Sequence, residues 1–373
     1  MSGTVVNGFV DESFESLRSA YLQTFESFDE LGSAFCVKIG GKTVVDLKGG
    51  LVAEGAQRAW NDRTLVNVWS TTKGIAAICF AMLVTRGKVS YDDRVSDYWP
   101  EFAVNKKSAV TVADLLSHKA GLAALHEGAT IQALLDKSAA EQMAKAVPLW
   151  PPGHISGYHI LTNGALVAEL FRRIEGRSLA VFVEEEFFQR RGWDIHIGLP
   201  EDRDSDAAEI SVSETLDLSI REGASMLQHR VFTSPFLEPL DANTLEWKRA
   251  ELPSANGFSN AAAIAELYAA VIDPDETLVS ASALEQATQT RYEGSDLILT
   301  VFSRWAAGFA LNTHGVYGPN SVAFGHSGLG GSFGFADPDS GIAMSYTPNR
   351  MGYRLRADPR AQALVDAVYK CAG

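Results

Sequence analysis

The chain is short of cysteine, of basic residues and of long apolar runs, and each shortage removes a class of function. Three cysteines occur in 373 residues. Cys36, Cys79 and Cys371 form no CxxC pair and no Cys/His spacing of a metal site, so neither a disulfide scaffold nor a bound metal is expected. Lys and Arg number 32 against 46 Asp and Glu, a net charge of −14. With the acidic residues spread along the chain, a polyanion is repelled and no nucleic-acid partner is expected. The longest apolar stretch, Gly74 to Val84, is too short to cross a bilayer, so no membrane partner is expected either. The opening "MSGTVVNGFVDESFES" lacks the basic start, apolar core and small-residue cleavage site of a secretory leader. A soluble, reducing, cytoplasmic setting is the expectation.

What is present is a globular composition, 46% hydrophobic, enough for one large or two ordinary domains. Glu12 to Asp29 reads as an opening helix. In "SAFCVKIGGKTVVDLKGG" two apolar strands flank Gly40-Gly41, the glycine pair of a hairpin turn. From about Asp92 to Ile272 the chain is mainly helical, with segments such as "NGALVAELFRRIEG" and "NAAAIAELYAAVID". Strand character returns in "WAAGFALNT", "GSFGFADPDSG" and "IAMSYTPN", and a last helix covers about Pro359 to Tyr369. The expected fold is α+β: an antiparallel sheet built from both chain ends and flanked by helices, with a helical region inserted. Residues 1–91 and 273–373 would form the α/β part, 92–272 the helical part, and the cleft between them is the expected site.

"NVWSTTKGIAAICFAMLVTRG" places Ser70 and Lys73 one helical turn apart on one face. At a helix N-terminus the positive end of the dipole disfavours a protonated lysine, and burial against the apolar run lowers its pKa further. Such a lysine can take a proton from serine. The plainer alternative is that Ser70 is an N-cap and Lys73 a lysine snorkelling off a buried helix. For the S-x-x-K pattern taken alone, that alternative is the stronger.

Two further stretches bear on the choice: "PPGHISGYHILTNGAL", which holds Tyr158, and "FGHSGLGGSFGFADP", which holds His326-Ser327-Gly328. With "LVNVWSTTKG", "VSDYWPEF", "LLSHKAGL" and "HIGLP" in that order, most of the chain resembles the serine β-lactamase and penicillin-binding-protein superfamily. It is most similar to the class C-like branch and its family VIII carboxylesterases. The resemblance implies a β-lactamase-like fold, with Ser70 as nucleophile of an acyl-enzyme and Lys73 and Tyr158 sharing the proton transfers. It also implies an oxyanion hole from the backbone N–H groups of Ser70 and Leu329, with His326, Ser327 and Gly328 forming the opposite wall. Where class C enzymes read Tyr-x-Asn, this chain has Tyr158-His159-Ile160. Where they read Lys-Thr-Gly, it has His326-Ser327-Gly328, and a mostly neutral histidine anchors a substrate carboxylate poorly. Both departures favour neutral esters.

"GHSGLGG" also suggests an α/β-hydrolase nucleophile at Ser327. That pattern needs glycine where Leu329 stands and a histidine later in the chain, and His326 is the last. His118, His154 and His159 match no ligand spacing and read as loop histidines bonding backbone. "VEEEFF", Val183 to Phe188, reads as a solvated helix face. Trp150, Phe232, Phe236, Trp247 and Phe258 are candidates for a pocket lining, though each taken singly reads more readily as ordinary core. The leading expectation is a carboxylesterase without cofactor whose partner is a small-molecule ester, with homo-oligomerisation left open. An acyltransferase, a D-aminopeptidase or weak β-lactamase, and an inactive binding protein on the same fold are the alternatives.

Overall fold

The computed structural model describes residues 4–214, 216, 220, 222–275, 278–352 and 358–372. β1 (Val6–Val10) precedes the helix Ser16–Ser27, and β2 (Gly32–Ile39) and β3 (Lys42–Gly50) form a hairpin turned by Gly40 and Gly41, both at positive φ. β4 (Val66–Asn67) leads into the helix Thr71–Thr85. The middle of the chain is mostly helical, as in Thr162–Glu175, yet it also supplies β5 (Ile195–Ile197), β6 (Ser211–Val212) and β7 (Gly257–Ser259). After the helices Ala261–Ile272 and Ala281–Thr288 come β8 (Tyr292–Ser295), β9 (Phe302–Trp305), β10 (Ala310–Leu311), β11 (Phe324–Ser327), β12 (Phe333–Asp337), β13 (Ile342–Pro348) and β14 (Arg350–Met351). The helix Pro359–Ala372 closes the chain.

Nine strands form one sheet in the order β1-β3-β2-β13-β12-β11-β10-β9-β8. Every neighbouring pair is antiparallel, and the two chain ends meet where β13 pairs with β2, Met344 opposite Val37. The pleat sorts side chains by size. Phe35, Val37, Met344 and Tyr346 face a core shared with Leu17 and Tyr21 of the first helix and Leu364 and Val368 of the last. Ala34, Cys36, Ala336 and Ala343 face the opposite way, towards Ile264 and Leu267 of the helix Ala261–Ile272. Small residues on that face let the helix approach closely: a Cβ on Gly334 would lie 2.4 Å from Ile264 Cγ2.

The helix Thr71–Thr85 is buried from Thr71 to Leu83, as its nearly uninterrupted apolar sequence requires. It runs between β11 and the helices Ala281–Thr288 and Thr162–Glu175. β4, β7 and β5 make a small antiparallel sheet beside its N-terminus, and β14 lies parallel to β6. The "VEEEFF" segment departs from a solvated helix face. Glu184–Gln189 forms a π-helical turn in which Glu186 is buried and takes both terminal nitrogens of Arg86, at 3.1 and 2.9 Å. Glu184 meets His196 Nδ1 at 3.0 Å. A widened turn rotates these carboxylates towards partners that a regular helical register would leave outside.

Candidate active site

Ser70 is the N-cap of the helix Thr71–Thr85, so Lys73 is its third residue and the two share the first turn. Ser70 makes no capping hydrogen bond with its side chain, which leaves Oγ available, and it is half-buried where its neighbours are closed over. The turn before it is strained: Trp69 has φ +51°, the left-handed region that L side chains avoid. Surrounding contacts hold it there. The Val68 N–H donates to Gly257 O at 2.8 Å, the Gly257 N–H donates to Thr72 Oγ1 at 2.9 Å, and the Trp69 ring lies 5.6 Å from that of Trp247.

Lys73 is 3% exposed, and its amine has three oxygen neighbours: Ser70 Oγ at 3.1 Å, Ile160 O at 2.8 Å and Ser254 O at 2.8 Å. Burial holds its pKa well below the ordinary lysine value, and no carboxylate opposes the shift. The two carbonyls can only accept, so a neutral amine spends both N–H groups on them. Its lone pair is then left facing the Ser70 hydroxyl. This is the geometry of a base poised on an alcohol.

Tyr158 joins the same group. Lys73 Nζ lies 4.9 Å from the centroid of its ring. The ring is parallel to that of Trp305 at 5.4 Å, with His326 at 6.0 Å, and His118 packs edge-on at 4.8 Å. His159 is tied to the main chain through both ring nitrogens, Nδ1 to Gly157 O at 2.6 Å and Nε2 accepting from the Leu122 N–H at 2.9 Å. Burial lowers its pKa to about 4. It is a neutral brace for the Tyr158 loop, and the His159 backbone N–H donates to His118 Nδ1 at 3.3 Å.

His326 and Ser327 end β11, with Gly328 and Leu329 just beyond. His326 Nδ1 bonds the Ser327 carbonyl at 2.8 Å, and Ser327 Oγ pairs with the Tyr317 hydroxyl at 3.1 Å. The β11–β12 connection is pinned to the serine turn by Ser332, whose hydroxyl donates to Val68 O at 2.7 Å and pairs with Thr71 Oγ1 at 3.0 Å. Among the described residues neither the Ser70 nor the Leu329 N–H has a backbone acceptor. Gly328 is required by space and not by conformation, since its φ is −105°. A Cβ there would stand 2.4 Å from Val68 O and 2.2 Å from Ser332 Oγ. Gly328→Ala should therefore push the β11–β12 turn off the serine turn, costing about 1–3 kcal/mol as an overpacked site. The accompanying fall in kcat should exceed any rise in KM. Thermal unfolding and steady-state kinetics check both, and an unchanged kcat would count against the close packing.

The structure thus gathers Ser70, Lys73, Tyr158, His326 and the 327–329 turn in one place. It adds residues with no signature in the sequence: Ser254 and Ile160 act through main-chain carbonyls, and Ser332 and Thr71 through a hydroxyl pair. Among the described residues there is no cluster of three or more His, Cys, Asp or Glu able to hold a metal, and no helix long and apolar enough to cross a membrane.

The profile of the beta-lactamase family matches residues 22–368. The esterase/beta-lactamase LipL of Mycobacterium tuberculosis (strain ATCC 25618 / H37Rv) is 32% identical over 372 residues, covering 94% of this chain and 84% of LipL. A family VIII carboxylesterase crystal structure is 36% identical with a TM-score of 0.92, covering 98% of this chain and 100% of that one. A penicillin-binding-protein homologue from Caulobacter crescentus is also 36% identical, with a TM-score of 0.91 and the same coverage. EstA from Arthrobacter nitroguajacolicus Rue61a is 28% identical with a TM-score of 0.86, covering 98% of each chain.

Proposed function

The chain belongs to the beta-lactamase family, the serine hydrolase family of esterases and β-lactamases with a β-lactamase-like fold, and from that premise we propose that it is a carboxylesterase acting on small neutral esters through an acyl-enzyme on Ser70. The observation that carries this reading is the buried Lys73 amine, 3.1 Å from Ser70 Oγ and with both other neighbours carbonyl oxygens. Ser70 Oγ attacks the ester carbonyl while its proton passes to the Lys73 amine. The carbonyl oxygen, now negative, takes the Ser70 and Leu329 N–H groups. Collapse of the tetrahedral intermediate breaks the C–O bond, and the proton moves through the Tyr158 hydroxyl to the leaving alkoxide. Water then attacks the acyl-serine, giving its proton back through the same pair, and the acid leaves.

The family VIII carboxylesterase supports an ester substrate, while LipL carries both activities in its name. The residues of this chain favour the ester. His326 stands where a lactamase lysine would meet the substrate carboxylate, and Ile160 offers a carbonyl already bonded to Lys73 where an asparagine amide would be. In this reading the sheet (residues 1–91 and 273–373) and the helical stretch 92–272 form the two walls of the substrate cleft. Three free cysteines, two of them buried, suit a reducing, cytoplasmic compartment.

The test compares kcat/KM for p-nitrophenyl acetate and butyrate with that for nitrocefin and benzylpenicillin. One lost charge-assisted hydrogen bond costs about 1.5–3 kcal/mol, so the esters should lead by roughly 10- to 150-fold or more. Lactam turnover equal to that of the better ester would contradict the substrate assignment.

A further inference from the structure

We infer that Asp296 is a positioning residue for the reaction, fixing the Tyr158 phenol against Lys73 from outside the catalytic group. This rests on the proposed role of Tyr158. Asp296 lies just past β8, is 1% exposed, and its carboxyl oxygens meet only donors. Oδ1 accepts the N–H of Tyr158 at 3.0 Å, of Ile298 at 2.9 Å and of Leu299 at 3.0 Å. Oδ2 accepts the Trp305 Nε1–H at 3.2 Å and lies 3.4 Å from the Ser156 hydroxyl, whose shorter bond goes to the Ser117 carbonyl at 3.1 Å.

The bonds to Ile298 and Leu299 close a local Asx turn and concern only the fold. The bonds from the Tyr158 N–H and the Trp305 indole are different, because they join separate segments at one residue. Asp296 holds Tyr158 through the tyrosine's backbone N–H and orients the indole on which the Tyr158 ring lies parallel at 5.4 Å. A parallel main-chain bond, from the Leu297 N–H to Ser156 O at 3.0 Å, locks the same two segments. The tyrosine loop carries no regular secondary structure of its own between Pro151 and the helix Thr162–Glu175. Its registration against Lys73 therefore depends on such side-chain anchors. Displacing a proton-transfer group by about 1 Å costs on the order of 100-fold in rate.

Asp296→Asn replaces one acceptor oxygen by a donor. The amide nitrogen takes the Oδ2 place, because the other oxygen is fixed by three N–H groups, and it then faces Trp305 Nε1–H donor to donor. The experiment is a double-mutant cycle with Tyr158→Phe, read as the single-turnover acylation rate per active site with ethyl acetate, whose ethoxide leaving group needs the proton that the Tyr158 hydroxyl passes on. Asp296→Asn should slow acylation about 10- to 100-fold in the parent and less than about 3-fold when Tyr158 is already Phe, because its effect passes through the lost hydroxyl. Trp305→Phe keeps a ring beside Tyr158, removes the bond to Oδ2, and should show the same coupling if Asp296→Asn does not fold. Equal factors in both backgrounds would overturn the inference and leave the Tyr158 role standing. A Tyr158→Phe enzyme as fast as the parent would overturn the inference together with that role.

Discussion

Ser70→Ala should abolish ester turnover, with kcat reduced by about 10^4-fold or more, as when the nucleophile of a serine hydrolase is removed. The fold should survive. The Ser70 side chain caps no helix N–H and, among the described residues, its one side-chain hydrogen bond is the 3.1 Å bond with Lys73, so the loss of stability is about 1 kcal/mol. Circular dichroism and thermal unfolding separate these outcomes. A Ser70→Ala protein that unfolds like the parent and still hydrolyses ester at more than a few per cent of its rate would remove Ser70 from the reaction.

The second large effect concerns Lys73. Its pKa is pushed well below the ordinary value near 10.5 by burial alone, so the neutral form is reached at lower pH than in an exposed lysine. Activity should rise with pH through that lowered pKa and then level. Lys73→Arg should lose roughly 10^3-fold or more in kcat/KM, because a guanidinium keeps its proton and three oxygens without a carboxylate give it no partner. Lys73→Met, which keeps the shape without the charge, should be equally inactive and should fold. Stability carries the same sign. Between the folded pKa and about 10.5 the unfolded chain holds one more proton than the folded one, so unfolding free energy should rise with pH there by up to about 1.4 kcal/mol per unit. Below the folded pKa both states are protonated and the slope vanishes. In Lys73→Met the slope should be missing. An active, folded Lys73→Arg enzyme would make the lysine a structural charge and leave Ser70 without this base.

Much of this site was legible in the sequence because its side chains sit at fixed short spacings. Ser70 and Lys73 are three apart on a helix whose apolar run announces its burial, and Gly40-Gly41 sets the hairpin that starts the sheet. The order of the Tyr158 and His326-Ser327-Gly328 stretches carried the family resemblance. Other parts left no pattern. β1 holds a glycine at φ +118° and an exposed Phe9, and β8 is the short polar run "YEGS", so neither shows the alternation of a half-buried strand. β5 and β7 are three residues each, too brief for any period to register inside a mainly helical stretch. Glu186 looked solvated because its neighbours are acidic, and the partner that buries it, Arg86, is remote in the chain. The Lys73 acceptors are carbonyl oxygens of Ile160 and Ser254, which every residue type possesses, and Asp296 is one acidic residue among many until the chain folds around it.

The most direct test of the acyl-enzyme is to mix the protein with an excess of p-nitrophenyl acetate, quench in acid within the first turnovers, digest, and locate the added mass by tandem mass spectrometry. The acetyl group should be found on Ser70, at a stoichiometry approaching one per active site, and should disappear from the peptide in Ser70→Ala. An acetyl group mapped instead to Ser327 in "GHSGLGG", or steady turnover with no covalent adduct on Ser70 at any quench time, would contradict the account.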